Sequence, residues 1–309
     1  MAKAQPFFSV VIPTYNRADD VCAAVKSVLN QTDTDFEILV VDDAGTDNTA
    51  QKLAEINDKR LTYLKQPKNA GAKAARNRGI REAKGQWLCL LDSDDEWLPN
   101  RLKNLREMIQ KTPNAANTLF WSSLIFNRGD GVVEVKPKSP KPAEMPYFDY
   151  IMCYDGLIQT STLALSAEKA KNHPFNEAVL GHDDYEFLFG LEKAGLIFHH
   201  DPRAQVIWHN QTVAATGRVS YTNRLKKFRQ WIDVHGTDMS PKAMAAYKAL
   251  NLALCYGGLK TPYALALILN AGLKGAIPPR RVLLSCIQAL MPDTSYRKLI
   301  KCLAGQTQR

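Results

Sequence analysis

Between residues 7 and 91, short apolar runs alternate with segments of helical spacing, and this order constrains the fold of the chain most. The apolar runs are rich in β-branched residues and only a few residues long, as buried strands are. The predicted strands are 7–13, 36–41, 61–64 and 87–91, with helices at 18–30, at a segment capped by Thr46 or Asp47 that carries Leu53 and Ile56, and at 72–83. This pattern predicts an α/β, Rossmann-like and mostly parallel sheet with helices on both faces.

Polar clusters follow three of the predicted strands, at 14–17, 42–43 and 92–95. Parallel sheets of this kind bind ligands beyond the carboxyl ends of their strands. In an extended chain, Asp92 and Asp94 would point the same way. Two carboxylates there suit Mg²⁺ or Mn²⁺, which prefer oxygen ligands. The alternative is a polar strand-to-helix turn with an aspartate capping the helix.

The rest of the chain predicts further strands and helices and a helical C-terminal extension. The expected elements are a helix around 102–109, a strand at 119–126, a loop at 129–146, a strand at 157–165, a helix at 184–194, strands at 196–200 and 205–209, a loop at 212–219, and helices after 220 with breaks near Gly236, Pro262 and Pro278. We expect one domain at 1–215, divided into halves at 1–100 and 101–215. A basic helical region at 216–309 follows.

Positive charge is concentrated at the C-terminal end. The whole chain has 40 Lys and Arg against 31 Asp and Glu, whereas residues 201–309 alone hold 16 basic and 4 acidic side chains. Such asymmetry predicts a polyanionic partner, either a membrane surface or nucleic acid. The alternative is a helical layer with solvated Lys and Arg. Nucleic acid is disfavoured because no binding module is recognisable.

The expected compartment is the cytoplasm. The six cysteines are not spaced as metal-binding pairs and are expected to be free thiols in a reducing environment. The first residues do not resemble a signal peptide, and no apolar stretch reaches the roughly 18 residues of a membrane span. Peripheral attachment to the inner face of the cytoplasmic membrane stays open.

Four ordered motifs resemble the inverting family 2 glycosyltransferases of GT-A fold. They are Pro13-Thr14-Tyr15-Asn16; Val40-Val41-Asp42-Asp43 with Asp47 and Thr49; Asn69-Ala70-Gly71 with Ala75-Arg76-Asn77-Arg78-Gly79; and Leu91-Asp92-Ser93-Asp94-Asp95. The resemblance is strong over residues 7–100 and weaker over 155–210. It implies a nucleotide-sugar donor, usually a UDP-sugar, and a divalent cation. It also implies that 1–100 is a nucleotide-binding half and 101–215 an acceptor half.

The resemblance also implies roles for individual residues. Donor binding would fall on Pro13, Thr14, Tyr15, Asn16, Arg17, Asp43, Arg76, Asp92 and Ser93. Asp43 would contact the base, Asp92 the ribose, and Asp94 the metal, with Asp92 and His209 as further candidate ligands. Arg76 could instead lie on a solvated helix face, Asp42 could form a turn, and His209 could be a polar residue at a strand end. Trp97 and Trp208 are expected to be packing residues.

Residues 181–187 are similar to the acidic-pair segment of the same family, which places Asp184 at the catalytic base and Asp183 as the alternative. A hydroxyl acceptor needs such a base. Adjacent carboxylates at a helix start could also serve only as caps. One displacement would invert the anomeric carbon, and no carboxylate suggests itself as the nucleophile of a retaining reaction.

Two other functions compete with this interpretation. A non-catalytic nucleotide-sugar-binding or membrane-associated protein could keep the GT-A fold. A dinucleotide-dependent oxidoreductase would need a glycine-rich turn after the first strand, and residues 13–18 contain no glycine. A glycan or lipid-linked acceptor suits the basic helices, because such helices can lie on anionic lipid.

Overall fold

The computed structural model describes residues 5–127, 133–209, 224–256 and 261–291. In chain order, the strands are β1 (Phe8–Thr14), β2 (Phe36–Asp42), β3 (Leu61–Lys65), β4 (Trp87–Leu90), β5 (Asp95–Trp97), β6 (Thr118–Asn127), β7 (Val133–Lys136), β8 (Ala164–Ser166) and β9 (Ile197–His209). The helices are α1 (Ala18–Leu29), α2 (Thr49–Ala54), α3 (Ala72–Glu82), α4 (Arg101–Lys111), α5 (Tyr147–Cys153), α6 (Ala167–Asn172), α7 (Asp183–Lys193), α8 (Arg224–His235), α9 (Pro241–Tyr247), α10 (Thr261–Leu273) and α11 (Pro279–Leu290).

Four parallel strands form the first half of the sheet, in the order β3-β2-β1-β4. Every residue of β1 is buried, as its unbroken apolar sequence predicts. The register pairs Thr14 with Asp42, and Asp42 with Lys65, so three strands end side by side. The predicted α/β class and the strand order of residues 7–91 are therefore confirmed.

The second half of the sheet is mixed rather than parallel. β8 pairs antiparallel with both β4 and β6, β9 runs parallel to β6, and β5 runs antiparallel to β9. β7 pairs with β6 off this path. The expectation of a mostly parallel sheet thus holds for β1 to β4 among themselves and not for the strands that follow them.

Helices cover both faces of the parallel half because side chains alternate along β1. Ile12 packs in one core cluster with Val25 of α1 and Leu105 of α4. Val11 packs against Gly79 of α3, where an added Cβ would overlap its side chain. The glycine in this motif therefore lets α3 approach the sheet closely.

Three local predictions differ from the structure. The strand expected at 157–165 is a 3-10 turn at Thr160–Thr162 followed by β8, because the polar Gln159-Thr160-Ser161-Thr162 run interrupts the apolar pattern. The two strands expected at 196–200 and 205–209 form one strand, β9, whose pairing with β6 shifts register near Ser123. The segment expected to be a loop at 129–146 contains the strand β7, which pairs antiparallel with β6. The short strand β5 is also not apparent from the sequence.

The chain forms two compact units. The first comprises Met1–Ala143, Leu157–Ala178 and His182–Thr216, and the second Glu144–Gly156, Val179–Gly181 and Gly217–Arg309. In the second unit, Trp231 is buried, with its ring centroid 4.8 Å from that of Tyr247 and 4.6 Å from that of Phe148. The expected domain at 1–215, its halves at 1–100 and 101–215, and the basic region at 216–309 stay predictions.

Several predictions are tested only in part. The loop expected at 212–219, Cys302 and the last part of the basic helical region, residues 292–309, lie outside the described residues, as do residues 129–132. The five cysteines that the structure describes are free thiols, as predicted. Helices follow residue 224 as expected, and none in the described ranges has both the length and the apolar character to cross a bilayer.

Candidate functional site

The turn after β1 is tied to the turn after β2 by side-chain hydrogen bonds. Asn16 has a left-handed backbone (φ 51°), and its Oδ1 accepts the backbone N–H groups of Thr46 (2.7 Å) and Asp47 (3.3 Å). Asp47 in turn accepts the N–H of Ala18, the first residue of α1, and that of Thr49, the first residue of α2. The helix α2 thus begins after Asn48, and Asp47 binds its first N–H from just outside the cap.

Pro13 and Thr14 are buried at the end of β1, whereas the Tyr15 ring is 46% exposed beside them. An exposed aromatic ring at the carboxyl edge of a sheet can contact a flat ligand such as a nucleobase. These residues occupy the positions at which the sequence predicts donor contacts.

Asp42 and Asp43, at the end of β2, accept hydrogen bonds from different segments of the chain. Asp42 accepts the N–H of Gly45 at 2.7 Å and the Tyr63 hydroxyl at 2.5 Å, and burial together with Asp42 raises the pKa of that tyrosine. Asp42 therefore forms a turn, which is one of the two roles considered for it. Asp43 accepts the N–H groups of Ala70 (2.8 Å) and Gly71 (2.7 Å), at the start of α3.

The Asp92–Asp95 segment forms a tight turn between β4 and β5. The N–H of Asp95 donates to the carbonyl of Asp92 at 3.1 Å. The segment is therefore a turn and not extended, so the condition under which Asp92 and Asp94 would point the same way is not met. The two carboxylates contact different arginines, because Asp94 pairs with Arg17 and Asp92 with Arg76. Ser93 is buried within this turn.

Arg76 of α3 is buried and joins carboxylates from both halves of the first unit. Its Nη2 lies 2.6 Å from Asp92 Oδ1 and its Nη1 lies 3.7 Å from Asp183 Oδ2. Its guanidinium lies over the Phe175 ring, 5.3 Å from the centroid. Burial lowers the pKa of Arg76, but Asp92, Asp184 and Asp183 outweigh it and raise the pKa overall. The alternative of a solvated helix face is wrong for this residue.

Asp183 and Asp184 begin α7 and have separate partners. Asp183 lies 3.3 Å from Lys73 Nζ, and Asp184 accepts the hydroxyl of Thr160. Burial raises the pKa of Asp184 to about 6, with a further contribution from Asp92 and opposition from Arg76. A carboxylate with a pKa near neutrality can accept a proton and release it again, which is what general base catalysis requires.

The sequence reasoning missed a polar support beneath the Asp92–Asp95 turn. The Ser161 hydroxyl donates to Asp95 at 2.5 Å and accepts the Asp92 N–H at 3.0 Å, while Gln159 donates to Asp95 at 2.8 Å. Burial and the nearby Asp92 raise the pKa of Asp95 well above its usual range. The only sequence signal was the Gln-Thr-Ser-Thr run within an apolar stretch, which we interpreted as a strand.

His209 ends β9 beside the same turn. The register pairs Asp95 with Trp208, and the His209 N–H donates to Asp95 at 3.3 Å. Its Nε2 lies 2.9 Å from Glu96 Oε1, whereas its buried Nδ1 has no hydrogen-bond partner within the described residues. Trp208 packs on Phe126, with ring centroids 4.8 Å apart, which agrees with a packing role.

The residues of this turn fit a divalent cation that is bound partly by protein side chains and partly by phosphate oxygens. Among the described residues, no three His, Cys, Asp or Glu side chains converge as a complete metal site. Asp94 nevertheless offers a partly exposed carboxylate, and His209 offers an unpartnered buried nitrogen. Mg²⁺ in particular is commonly bound by one or two protein carboxylates together with substrate phosphates and water.

The sequence of this chain is similar to those of known glycosyltransferases. The model of "Glycosyl transferase family 2" matches residues 9–131. The amylovoran biosynthesis glycosyltransferase AmsB of Erwinia amylovora is 31% identical over 259 residues, covering 81% of this chain and 84% of AmsB. The WfgD enzyme of Escherichia coli, a UDP-Glc:alpha-D-GlcNAc-diphosphoundecaprenol beta-1,3-glucosyltransferase, is 39% identical over 103 residues. That match covers 33% of this chain and 41% of WfgD.

Solved structures share the fold at low sequence identity. S. aureus TarS residues 1–349 in complex with UDP-GlcNAc superposes with a TM-score of 0.62 at 19% identity, covering 89% of this chain and 82% of that one. The mannosyltransferase PcManGT from Pyrobaculum calidifontis, in complex with GDP-Man and Mn²⁺, gives a TM-score of 0.56 at 18% identity, covering 93% and 86%. Both are GT-A structures, which confirms the predicted fold class.

Proposed function

We propose a specific reaction for this chain, which belongs to glycosyl transferase family 2 and is a glycosyltransferase of polysaccharide biosynthesis. In the proposed reaction, the enzyme moves a sugar from a UDP-sugar to a hydroxyl of a glycan or glycolipid acceptor and inverts the anomeric carbon. The observation that carries this proposal is the buried Arg76, which contacts both Asp92 of the nucleotide half and Asp183 of the acceptor half. An arginine shared in this way brings the donor motif and the acidic pair to one place.

In the proposed donor site, the nucleotide binds along the carboxyl ends of β1, β2 and β4. The exposed ring of Tyr15 and the backbone of Thr14 line the base and ribose, with Asn16 and Arg17 beside them. Asp43 accepts a hydrogen bond from the base, and Asp92 contacts the ribose. Each of these atoms lies in the strand-end turns described above, where α/β sheets bind nucleotides.

We assign the divalent cation, Mg²⁺ or Mn²⁺, to Asp94, with Asp92 and His209 as further ligands. A bound cation of this kind would neutralise charge on the diphosphate leaving group. Arg17, which pairs with Asp94, has a half-buried side chain whose guanidinium suits a phosphate oxygen once Asp94 turns to the cation. Buried Asp95 is tied to Ser161 and Gln159 and holds the shape of the turn that presents these groups.

Asp184 is the proposed general base. It takes the proton of the acceptor hydroxyl while that oxygen forms its bond to the anomeric carbon. At the same time the bond from the anomeric carbon to the diphosphate oxygen breaks, so a single displacement inverts the configuration. Asp183 pairs with Lys73 and Arg76, and this engagement favours Asp184 over Asp183 as the base.

We further propose a lipid-linked acceptor at the inner face of the cytoplasmic membrane. The printed name of the relative WfgD states a diphosphoundecaprenol acceptor for that enzyme. The basic side chains of the C-terminal helices, on residues 224–229 and 280–281, suit an anionic lipid surface.

The proposal is tested by measuring sugar transfer from UDP-sugars in the presence of Mn²⁺, with the release of UDP as the readout. The variants Asp184→Asn and Asp94→Ala should each lose transfer by about a hundredfold or more. Asp233→Asn, an exposed aspartate of α8, is the control and should keep full activity. Full activity of both site variants would exclude the proposed mechanism, in which Asp94 holds the cation and Asp184 is the base.

A further inference from the structure

The second unit carries an exposed apolar surface on α10. Leu273 is 90% exposed, and Tyr263 and Leu269 are each 53% exposed. Large apolar side chains on a soluble protein surface are ordinary when scattered, whereas a contiguous group of them marks an interaction site. The arrangement of these side chains along the helix therefore decides whether they form a surface.

The exposed residues of α10 fall on one stripe of the helix, and the buried residues fall on the opposite side. The stripe consists of Pro262, Ala266, Leu269 and Leu273, with Tyr263 and Asn270 at its edge. The buried positions are Ala264, Ile268 and Ala271. The four stripe residues are spaced by four, three and four positions, which keeps them on one side of a helix with about 3.6 residues per turn. The stripe therefore runs the full length of the helix, with Asn270 at its margin.

The helix α11 packs against α10 and exposes two leucines of its own. Gly272 lies so close to Val282 that an added Cβ would stand 2.8 Å from its Cγ2. Leu283 and Leu290 of α11 are 62% and 63% exposed and are seven residues apart, on one face of their helix. We name α10, α11 and the connecting residues 274–278 the apolar hairpin.

Positive charge adjoins the exposed leucines at the turn of the apolar hairpin. Lys274 follows Leu273 directly, and Arg280 and Arg281 begin α11; all three are exposed. Residues 261–291 contain no Asp or Glu. An apolar face with a cationic margin is the composition of helices that lie in the interface of an anionic bilayer.

A lipid surface fits the apolar hairpin better than a second copy of the chain does. A two-fold pair joined through α10 would bring Lys274 and Arg280 of both copies to one interface without acidic partners on the hairpin, which is unfavourable. The 13 residues of α10 are too few to span a bilayer core. An orientation parallel to the membrane plane would bury the stripe and place the cations at the headgroups.

We propose that the apolar hairpin docks the chain on an anionic lipid surface, with Leu269 and Leu273 inserted among the acyl chains and Lys274, Arg280 and Arg281 against the phosphates. This inference rests on the membrane partner of the proposed function and deepens it by naming the surface. It also separates two roles, because the apolar side chains supply insertion and the basic ones supply selectivity for anionic lipid.

The test is co-sedimentation of the full chain with vesicles of phosphatidylcholine alone or with about 30% phosphatidylglycerol. Wild type should sediment with the anionic vesicles. L269Q/L273Q should bind them at least about tenfold more weakly, because two inserted apolar side chains are lost. K274Q/R280Q/R281Q should lose on the order of a hundredfold on anionic vesicles and show little effect on neutral ones.

The matched control is Ile197→Gln, which changes a 54% exposed apolar residue at the start of β9 and should bind like wild type. Since Leu273 is almost wholly exposed, the double variant should unfold at the wild-type temperature. Three results overturn the proposal: wild type that stays in the supernatant, a double variant that binds like wild type, or a wild-type dimer that the double variant loses. Sedimentation needs no catalysis, so a chain that binds anionic vesicles but lacks transfer supports the surface while contradicting the proposed function.

Discussion

Arg76 and Asp92 form a close ion pair, with Nη2 2.6 Å from Oδ1, between the helix α3 and the turn that follows β4. The arginine is buried, and its other terminal nitrogen lies 3.7 Å from Asp183 at the start of α7. Three segments far apart in the sequence are thus held by one guanidinium. The Nε and Nη1 atoms of Arg76 are buried without hydrogen bonds within the described residues, so the pair leaves donor capacity for a bound group.

Replacing Arg76 should destabilise the fold as well as the site. Arg76→Met leaves Asp92, Asp183 and Asp184 near one another without their shared cation, and removing one partner of a buried ion pair costs about 3–5 kcal/mol. Arg76→Lys keeps the charge but loses the forked geometry, so we expect a smaller loss. Urea unfolding measured by fluorescence gives the free energy of unfolding for each variant. A similar loss in the control Arg78→Met, whose side chain contacts the Lys65 carbonyl, would contradict this account.

The pH profile of transfer should report the Asp184 carboxyl. Its pKa of about 6 predicts a rate that rises as pH increases through that value, because only the deprotonated form accepts a proton. Thr160→Val removes the hydroxyl that Asp184 accepts, and this hydrogen bond lowers the pKa of the carboxyl. The rising limb should therefore move to higher pH in Thr160→Val and return in Thr160→Ser. An unchanged limb in Thr160→Val would exclude this positioning role.

Asp184→Asn should abolish transfer without weakening the fold. A carboxyl whose folded pKa is raised contributes stability at low pH that is lost as pH rises through the folded value, here about 6. The amide of asparagine does not ionise, so the variant does not lose this stability at high pH and is not repelled by Asp92. We therefore expect the melting temperature of Asp184→Asn at pH 8 to equal or exceed that of wild type, measured by scanning calorimetry. A lower melting temperature with lost activity would point to a structural role instead.

The parallel half of the fold was predictable because its signals are local. The apolar runs of β1 and β2 and the helical spacing of α1 each lie within a dozen residues, and burial on both faces leaves no alternative for such strands. Carboxylates that follow these strands could accordingly be placed at one edge. This part of the site was visible before any coordinates.

The supports of the site depend on contacts distant in sequence, which local patterns do not encode. Arg76 could have been a solvated residue, and only the packing of α3 against Phe175 shows that it is buried. Gln159 and Ser161 reach Asp95 across more than sixty positions of sequence. The sequence likewise left open whether 92–95 is extended or a turn, because the contacts of Ser161 with Asp92 and Asp95 are distant in sequence.

Metal dependence should be separable from the Arg17–Asp94 ion pair. A chelator should reduce transfer by wild type, and added Mn²⁺ should restore it. Asp94→Ala should weaken Mn²⁺-dependent UDP binding, because its carboxylate is the proposed ligand. Arg17→Gln frees that carboxylate from its cationic partner and should strengthen Mn²⁺ binding in the absence of nucleotide, measured by calorimetry. Equal Mn²⁺ affinity in wild type and Asp94→Ala would remove Asp94 from the metal site.

Two glycines in helices provide a matched test of how closely α3 packs on the sheet. At Gly79 an added Cβ would overlap Val11 of β1. At Gly190 of α7, no atom of the described residues beyond the adjacent backbone of the helix lies within 4 Å of that position. Gly79→Ala should therefore destabilise the chain by about 1–3 kcal/mol through overpacking. Gly190→Ala should instead stabilise it by about 0.5–1 kcal/mol, because alanine is the better helix former. Urea unfolding measures the free energy of unfolding of both variants. The double variant Val11→Ala/Gly79→Ala should recover part of the stability lost in Gly79→Ala, because the smaller side chain makes room for the methyl group.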